Sequence, residues 1–156
     1  MIIALTGHRE QRLNLPSDVA LDDWKNIRQW IRQQIIDNKA DTVLSGMAGG
    51  SDLAIAYEVV QMKKEGYPIK LTCVFPCKNY NVSNQYYKYI ISNADNIVEI
   101  HDEWFKGCDN DRDQYMVDNC DILLAIFDGN KNGGVYSTIR KAEKKNKKII
   151  YYPIYK

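Results

Sequence analysis

Ser45-Gly46-Met47-Ala48-Gly49-Gly50-Ser51-Asp52 decides how this chain is read. Residues 41–44 before it read as a short strand. Residues 53–60 after it carry the pattern of a helix. Three glycines and two serines therefore stand where a buried strand turns into a helix. Glycine there permits positive φ and a close approach of the main chain. The first turn of the helix offers unpaired N–H groups and a partial positive charge, which suit a phosphate or a carboxylate. A plain strand–helix turn capped by Ser51 or Asp52 is the bland alternative.

Working outward, the same alternation repeats. Residues 2–6 are wholly apolar, as in a strand buried on both faces. A polar loop follows to Pro16, and Ser17 or Asp18 is placed to cap a helix. Trp24, Ile27, Ile31 and Ile35 form one apolar stripe on that helix, and Asn38 is a plausible stop. The helix after the glycine turn ends in Lys63-Lys64-Glu65-Gly66. Strands are predicted at 69–75, with Pro76 as terminator, and at 96–100, 121–127 and 147–152. Helices are predicted at 84–93, 112–119 and 135–146, with 101–111 irregular. Six apolar strands alternating with helices predict an α/β fold: a Rossmann-like, doubly wound, mostly parallel sheet with helices on both faces. Residues 1–156 read as a single domain, with no repeat or linker to divide them.

Composition narrows the function. The chain has 156 residues and a net charge of +1, so it is not built as a polycation for nucleic acid. The N-terminal residues have no basic segment before a long apolar one, and no apolar run is long enough to span a bilayer. A cytoplasmic protein with no membrane partner is expected. Of the four cysteines, Cys73 and Cys77 have a spacing that some zinc sites use, with His101 downstream. Cys73 lies within an apolar run and Cys120 precedes a strand, which favours core roles. No metal and no required cofactor are expected.

In a parallel sheet the residues that follow the strands share one edge, where ligands bind. Thr6, Gly7, His8 and Arg9 follow the first strand. Ser45 to Asp52 follow the second, and Pro76 follows the third. Asp128 and Gly129, then Gly133, Gly134, Ser137 and Thr138, follow the fifth. Glycine loops supply backbone donors to phosphate, and Arg9 supplies a planar fork. This is the composition of a nucleotide-type pocket.

Thr6-Gly7-His8-Arg9 after an N-terminal strand, followed by the 45–52 stretch, resembles the SLOG superfamily of Rossmann-like nucleotide-binding proteins. Arg112-Asp113-Gln114-Tyr115-Met116-Val117-Asp118 is similar to a segment of its YpsA-like, DUF1273 branch. The resemblance spans nearly the whole chain. It implies a module that binds a nucleotide or nucleotide-derived signal, of ADP-ribose-like or cyclic type, without turnover: a sensor, carrier or sponge. Thr6 and Ser45 would donate hydroxyl bonds, and Arg9 and Arg112 would neutralise charge. Tyr80, Tyr86 or Trp104 would be the rings to stack on a base. A homo-oligomer is also expected from the resemblance.

The LOG enzymes of the superfamily cleave a nucleotide N-glycosidic bond and carry Pro-Gly-Gly-x-Gly-Thr-x-x-Glu. This chain has Asn132-Gly133-Gly134-Val135-Tyr136-Ser137-Thr138-Ile139-Arg140, without the third glycine and without the glutamate. A hydrolase is therefore the second reading, with Asp52, Asp128, Glu58 or Asp113 as the candidate catalytic carboxylate and Asp52 the best placed by loop position. Single-stranded DNA binding is a third. It requires a basic groove, and the cluster of lysines and Arg140 between 140 and 148 is its only candidate, more simply read as a solvated helix face.

Overall fold

A computed structural model describes residues 1–80 and 86–154. Six strands form one sheet: β1 (Ile2–Gly7), β2 (Thr42–Ser45), β3 (Lys70–Cys77), β4 (Asn96–His101), β5 (Ile122–Ile126) and β6 (Lys148–Tyr151). Every strand pairing is parallel, and the order is β4-β3-β2-β1-β5-β6. The chain winds outward from β1 to β4, then crosses back to lay β5 on the other side of β1. The connections on either side of β1 and β5 therefore leave in opposite directions, and a crevice opens at their carboxyl ends.

The period of two along the strands feeds two cores. Ile3 and Leu5 of β1 pack on one side with Val43, Leu71, Phe75, Leu124 and Ile126. That side is covered by α2 (Lys25–Asp37), α3 (Ser51–Lys64) and α4 (Tyr87–Ser92). Ala4, Leu44, Val74 and Leu123 face the other way, beneath α5 (Cys108–Asn119) and α6 (Gly134–Lys144). Strands buried on both faces explain the unbroken apolar runs.

The apolar stripe of α2 is buried as the sequence predicts: Trp24, Ile27, Ile31 and Ile35 are all in the core. Asn38 ends the helix, its side-chain amide donating to Gln34 O at 2.8 Å. Other boundaries differ. Asp18 does not cap α2. Its Oδ1 accepts from Ala20 N at 3.0 Å, and a short 3-10 turn, Asp22–Trp24, intervenes before α2. The loop expected up to Pro16 contains the one-turn helix α1 (Glu10–Leu13). Pro76 does not end β3: Cys77 beyond it still pairs with His101. Helix α5 starts four residues before the predicted 112, at Cys108, whose wholly buried side chain anchors that first turn. Of the helix predicted at 84–93, residues 84 and 85 lie outside the described residues. No helix among the described residues is long and apolar enough to cross a membrane.

Candidate functional site

The glycine-rich stretch proves to be a packing device first. Ser51, wholly buried at the start of α3, donates to His8 O twice, from its amide at 3.2 Å and from Oγ at 2.7 Å. This staples the β1–α1 connection to α3. A Cβ on Gly7 would lie 2.5 Å from Ser51 Cβ, and one on Gly50 would lie 2.6 Å from Glu10 N, with φ at +76°. Both positions therefore require glycine for the backbones to meet. Ser45 Oγ donates to Asp52 O at 2.8 Å and accepts from Met47 N at 3.2 Å. Met47 is fully buried in the core at φ +62°. The amide of Ser51 is thus already satisfied, and α3 does not present it to a ligand.

A cleft of about 430 Å³ opens at the crevice between β1 and β5. Of the residues singled out from sequence, Thr6, Gly7, His8, Arg9, Ala48, Asp52, Arg112, Gly134 and Thr138 line it. Ser45, Gly46, Met47, Gly49, Gly50, Ser51, Pro76, Asp128, Gly129, Gly133 and Ser137 do not line it. Gly46 supports it from behind, since its carbonyl accepts from Arg112 Nη1 at 2.7 Å. Ser137 Oγ accepts from Lys141 Nζ at 2.8 Å. Asp113, a candidate of the hydrolase reading, also lines it, and the structure adds Gln11, Arg12, Asp109, Met116, Asn132 and Val135. Gln11 and Arg12 sit on α1, which the sequence pattern read as loop. Asp109 sits on the part of α5 that it left irregular.

Charge in the cleft is mixed. Arg112 is 7% exposed, donates from Nε to Asp113 at 2.8 Å and lies 3.8 Å from Asp109. Burial works against its charge, but Asp113 and Asp52 outweigh burial and raise its pKa, so it stays cationic. Asp52 accepts from Ala48 N at 3.3 Å. Burial pushes Asp52 up to about 7, with Arg112 pulling the other way and Asp113 adding to the rise. Burial also raises Asp113, against the pull of Arg112. Arg9 is exposed and forms no ion pair with a carboxylate among the described residues.

His8 and Asp128 close one side. His8 is 4% exposed, and its Nε2 accepts from Asp128 N at 3.1 Å. Burial lowers its pKa, against the pull of the Asp128 carboxylate, whose Oδ1 lies 3.2 Å from Nε2. Asp128 is gripped by Arg12 through bonds of 2.6 and 3.0 Å, which hold it down at about 2. It stays ionised and engaged, and of the candidate carboxylates Asp52 and Asp113 line the cleft whereas Asp128 and Glu58 do not. At the opposite wall α6 begins. A Cβ on Gly133 or Gly134 would meet nothing within 4 Å, so the start of this helix is open. No cluster of three or more His, Cys, Asp or Glu side chains suited to a metal occurs among the described residues.

A parallel sheet with its cleft at the reversal of strand order defines a Rossmann-like α/β protein. A sequence model of the YspA SLOG family matches residues 3–155, and the chain belongs to that family. It is 25% identical to a UPF0398 protein of Bacillus cereus, covering 97% of this chain and 87% of that one. It is 30% identical to a UPF0398 protein of Listeria innocua, over 84% of this chain and 77% of that one. Among solved structures it is similar to DNA processing protein A from Helicobacter pylori, described for its single-stranded DNA binding mode. The TM-score is 0.68 at 18% identity, over 97% of this chain. The likeness is one of fold, and this chain spans 64% of that one.

Proposed function

We propose that the cleft binds a nucleotide or nucleotide-derived signal without turning it over. The observation that carries this reading is the convergence of three arginines, Arg9, Arg12 and Arg112, with the open start of α6 on one cleft. A helix N-terminus and guanidinium forks together suit phosphate. The phosphate site of this reading is α6 rather than α3, because α3 is stapled to His8. Asp52, Asp109 and Asp113 balance the arginines, so the cleft suits one or two phosphates rather than a long polyanion. Their carboxylates are acceptors for ribose hydroxyls or base amino groups. A volume of about 430 Å³ is within the usual range for small-ligand sites.

The test is mass spectrometry of small molecules released from the purified protein by denaturation, with calorimetry of AMP, ADP-ribose and cyclic ADP-ribose. Binding that is unchanged by Arg9→Ala would sink the reading. Arg9 is the variant of choice because it is exposed, whereas Arg112 also holds the fold.

One observation favours a second reading. Asp52 titrates near neutrality inside the cleft, as a general acid or base must. A hydrolase of nucleotide N-glycosidic bonds would release free base from AMP, and Asp52→Asn would stop it. Chromatography of the incubated nucleotide decides between the two.

A further inference from the structure

A second concavity lies on the flank formed by β5, α6 and β6, with a volume of about 460 Å³. It does not share the cleft's lining. Val135 and Thr138 face the cleft, whereas Tyr136 and Ile139 face this groove, so the first turns of α6 are a wall between the two. The groove combines rings with cations. Phe127 and Tyr136 stack at 6.1 Å between centroids and 18° between planes. The Arg140 guanidinium stands 5.8 Å from the centre of the Tyr136 ring. Tyr151, 49% exposed on the edge strand β6, stands within the same groove.

Three cations line it, Lys131, Arg140 and Lys144, against one acid, Glu143. Glu143 pairs with Arg140 at 3.4 Å, but both side chains are 54% exposed, so a phosphate can displace that pair at little cost. Two neighbouring lysines are otherwise engaged: Lys141 donates to Ser137 Oγ and Lys147 donates to Cys120 O. Lys145, in an exposed pair with Asp118, and Lys148 do not line the groove. The basic run is thus divided: its local part braces α6 and β6, and Arg140 and Lys144 are left to the groove. These two stand four residues apart on one helix, about 6 Å along its axis. That separation lets them take successive phosphates of an extended strand.

We propose that this groove is a single-stranded nucleic-acid site, independent of the reading of the cleft. Tyr151 takes a base face, backed by the Phe127–Tyr136 stack in the same groove, and Lys131, Arg140 and Lys144 take phosphates. Ring faces can reach bases only where the bases are unpaired, so a single strand is favoured over a duplex. The cleft, with balanced charge, plays no part in holding this strand.

Fluorescence anisotropy of a labelled oligo-dT of about twenty nucleotides with the full chain tests this. The oligonucleotide should bind at low salt and outcompete a duplex of the same length. Tyr151→Ala should weaken binding about fivefold or more. The double variant Arg140→Gln/Lys144→Gln should reduce the slope of log affinity against log salt by about 1.4. Arg9→Ala should leave both quantities unchanged. No binding at low salt, equal binding of the duplex, or an unaltered salt slope in the double variant would each overturn the proposal. Loss on Arg9→Ala alone would move the strand to the cleft and equally overturn it. Equal competition by heparin or anionic vesicles, with Tyr151→Ala unchanged, would reduce the face to general polyanion attraction and reject the base-stacking site.

Discussion

At the scale of single residues the cleft turns on Asp52. Its carboxyl is raised from an ordinary value of 3.8 to about 7, first by burial. The folded chain therefore holds this proton more tightly than the unfolded chain does. Its contribution favours folding at low pH, declines as pH rises from about 4 to about 7, and is flat above. Asp52→Asn lacks that decline. The variant should gain on the parent by on the order of 4 kcal/mol between pH 4 and pH 8, read from denaturant midpoints at each pH. Binding of a phosphate ligand should weaken in the parent as pH passes 7 and stay level in the variant. Two glycines make a matched pair. Gly50→Ala places a Cβ 2.6 Å from Glu10 N at φ +76°, and should cost about 2 kcal/mol or more. The melting temperature should then fall by roughly 4–8 °C. Gly134→Ala meets nothing within 4 Å and gains helix propensity, so its melting temperature should hold or rise while phosphate binding drops.

At the scale of elements, α2 and α3 are joined by charge as well as by their apolar stripes. Glu58 of α3 is 6% exposed and lies 2.5 Å from Arg32 Nε and 3.6 Å from Arg28 Nε, both on α2. Arg32 also reaches Glu65 with two bonds of 2.8 and 2.7 Å. Removing Glu58 leaves the guanidinium groups of Arg28 and Arg32 on α2 without the buried carboxylate they share, and only Arg32 keeps a second one, Glu65. Glu58→Ala should lower stability by about 3 kcal/mol, seen as a lower urea midpoint with an unchanged slope. Glu65→Ala, at a side chain 51% exposed, should change it by no more than about 0.5 kcal/mol. The contrast separates the buried part of the ladder from its solvated end. The pairing of neither carboxylate was legible in the sequence, because ion pairs between helices depend on which faces meet, and periodicity along one helix carries no such information.

Across the whole molecule, the inner strands were legible because a parallel sheet buries both of their faces, as the largely apolar run Ile2 to Thr6 and the wholly apolar run Ile122 to Ile126 show. The position of the cleft followed from strand order. The role of the glycine turn did not follow, since Gly7 and Gly50 answer to each other's loops, 43 residues apart, and sequence spacing is silent on that contact. Helix α1 was hidden for a related reason. It has four residues and no buried side chain, so it leaves no stripe, yet it brings Gln11 and Arg12 to the cleft. The cleft is thus assembled from four separate stretches: the β1–α1 connection, the start of α3, the start of α5 and the start of α6. A ligand that touches all four couples them, and unfolding any one releases it. At a ligand concentration of about 100 times Kd, such coupling should add about 2.7 kcal/mol and raise the melting temperature by roughly 5–10 °C. Hydrogen exchange should slow together at the starts of α1, α3, α5 and α6. The outer strand β4, which supplies no cleft residue, should change only as much as global unfolding requires. Slowing confined to α6 would mean that phosphate alone is held, and that Asp52 and Asp113 make no contact with the rest of the nucleotide.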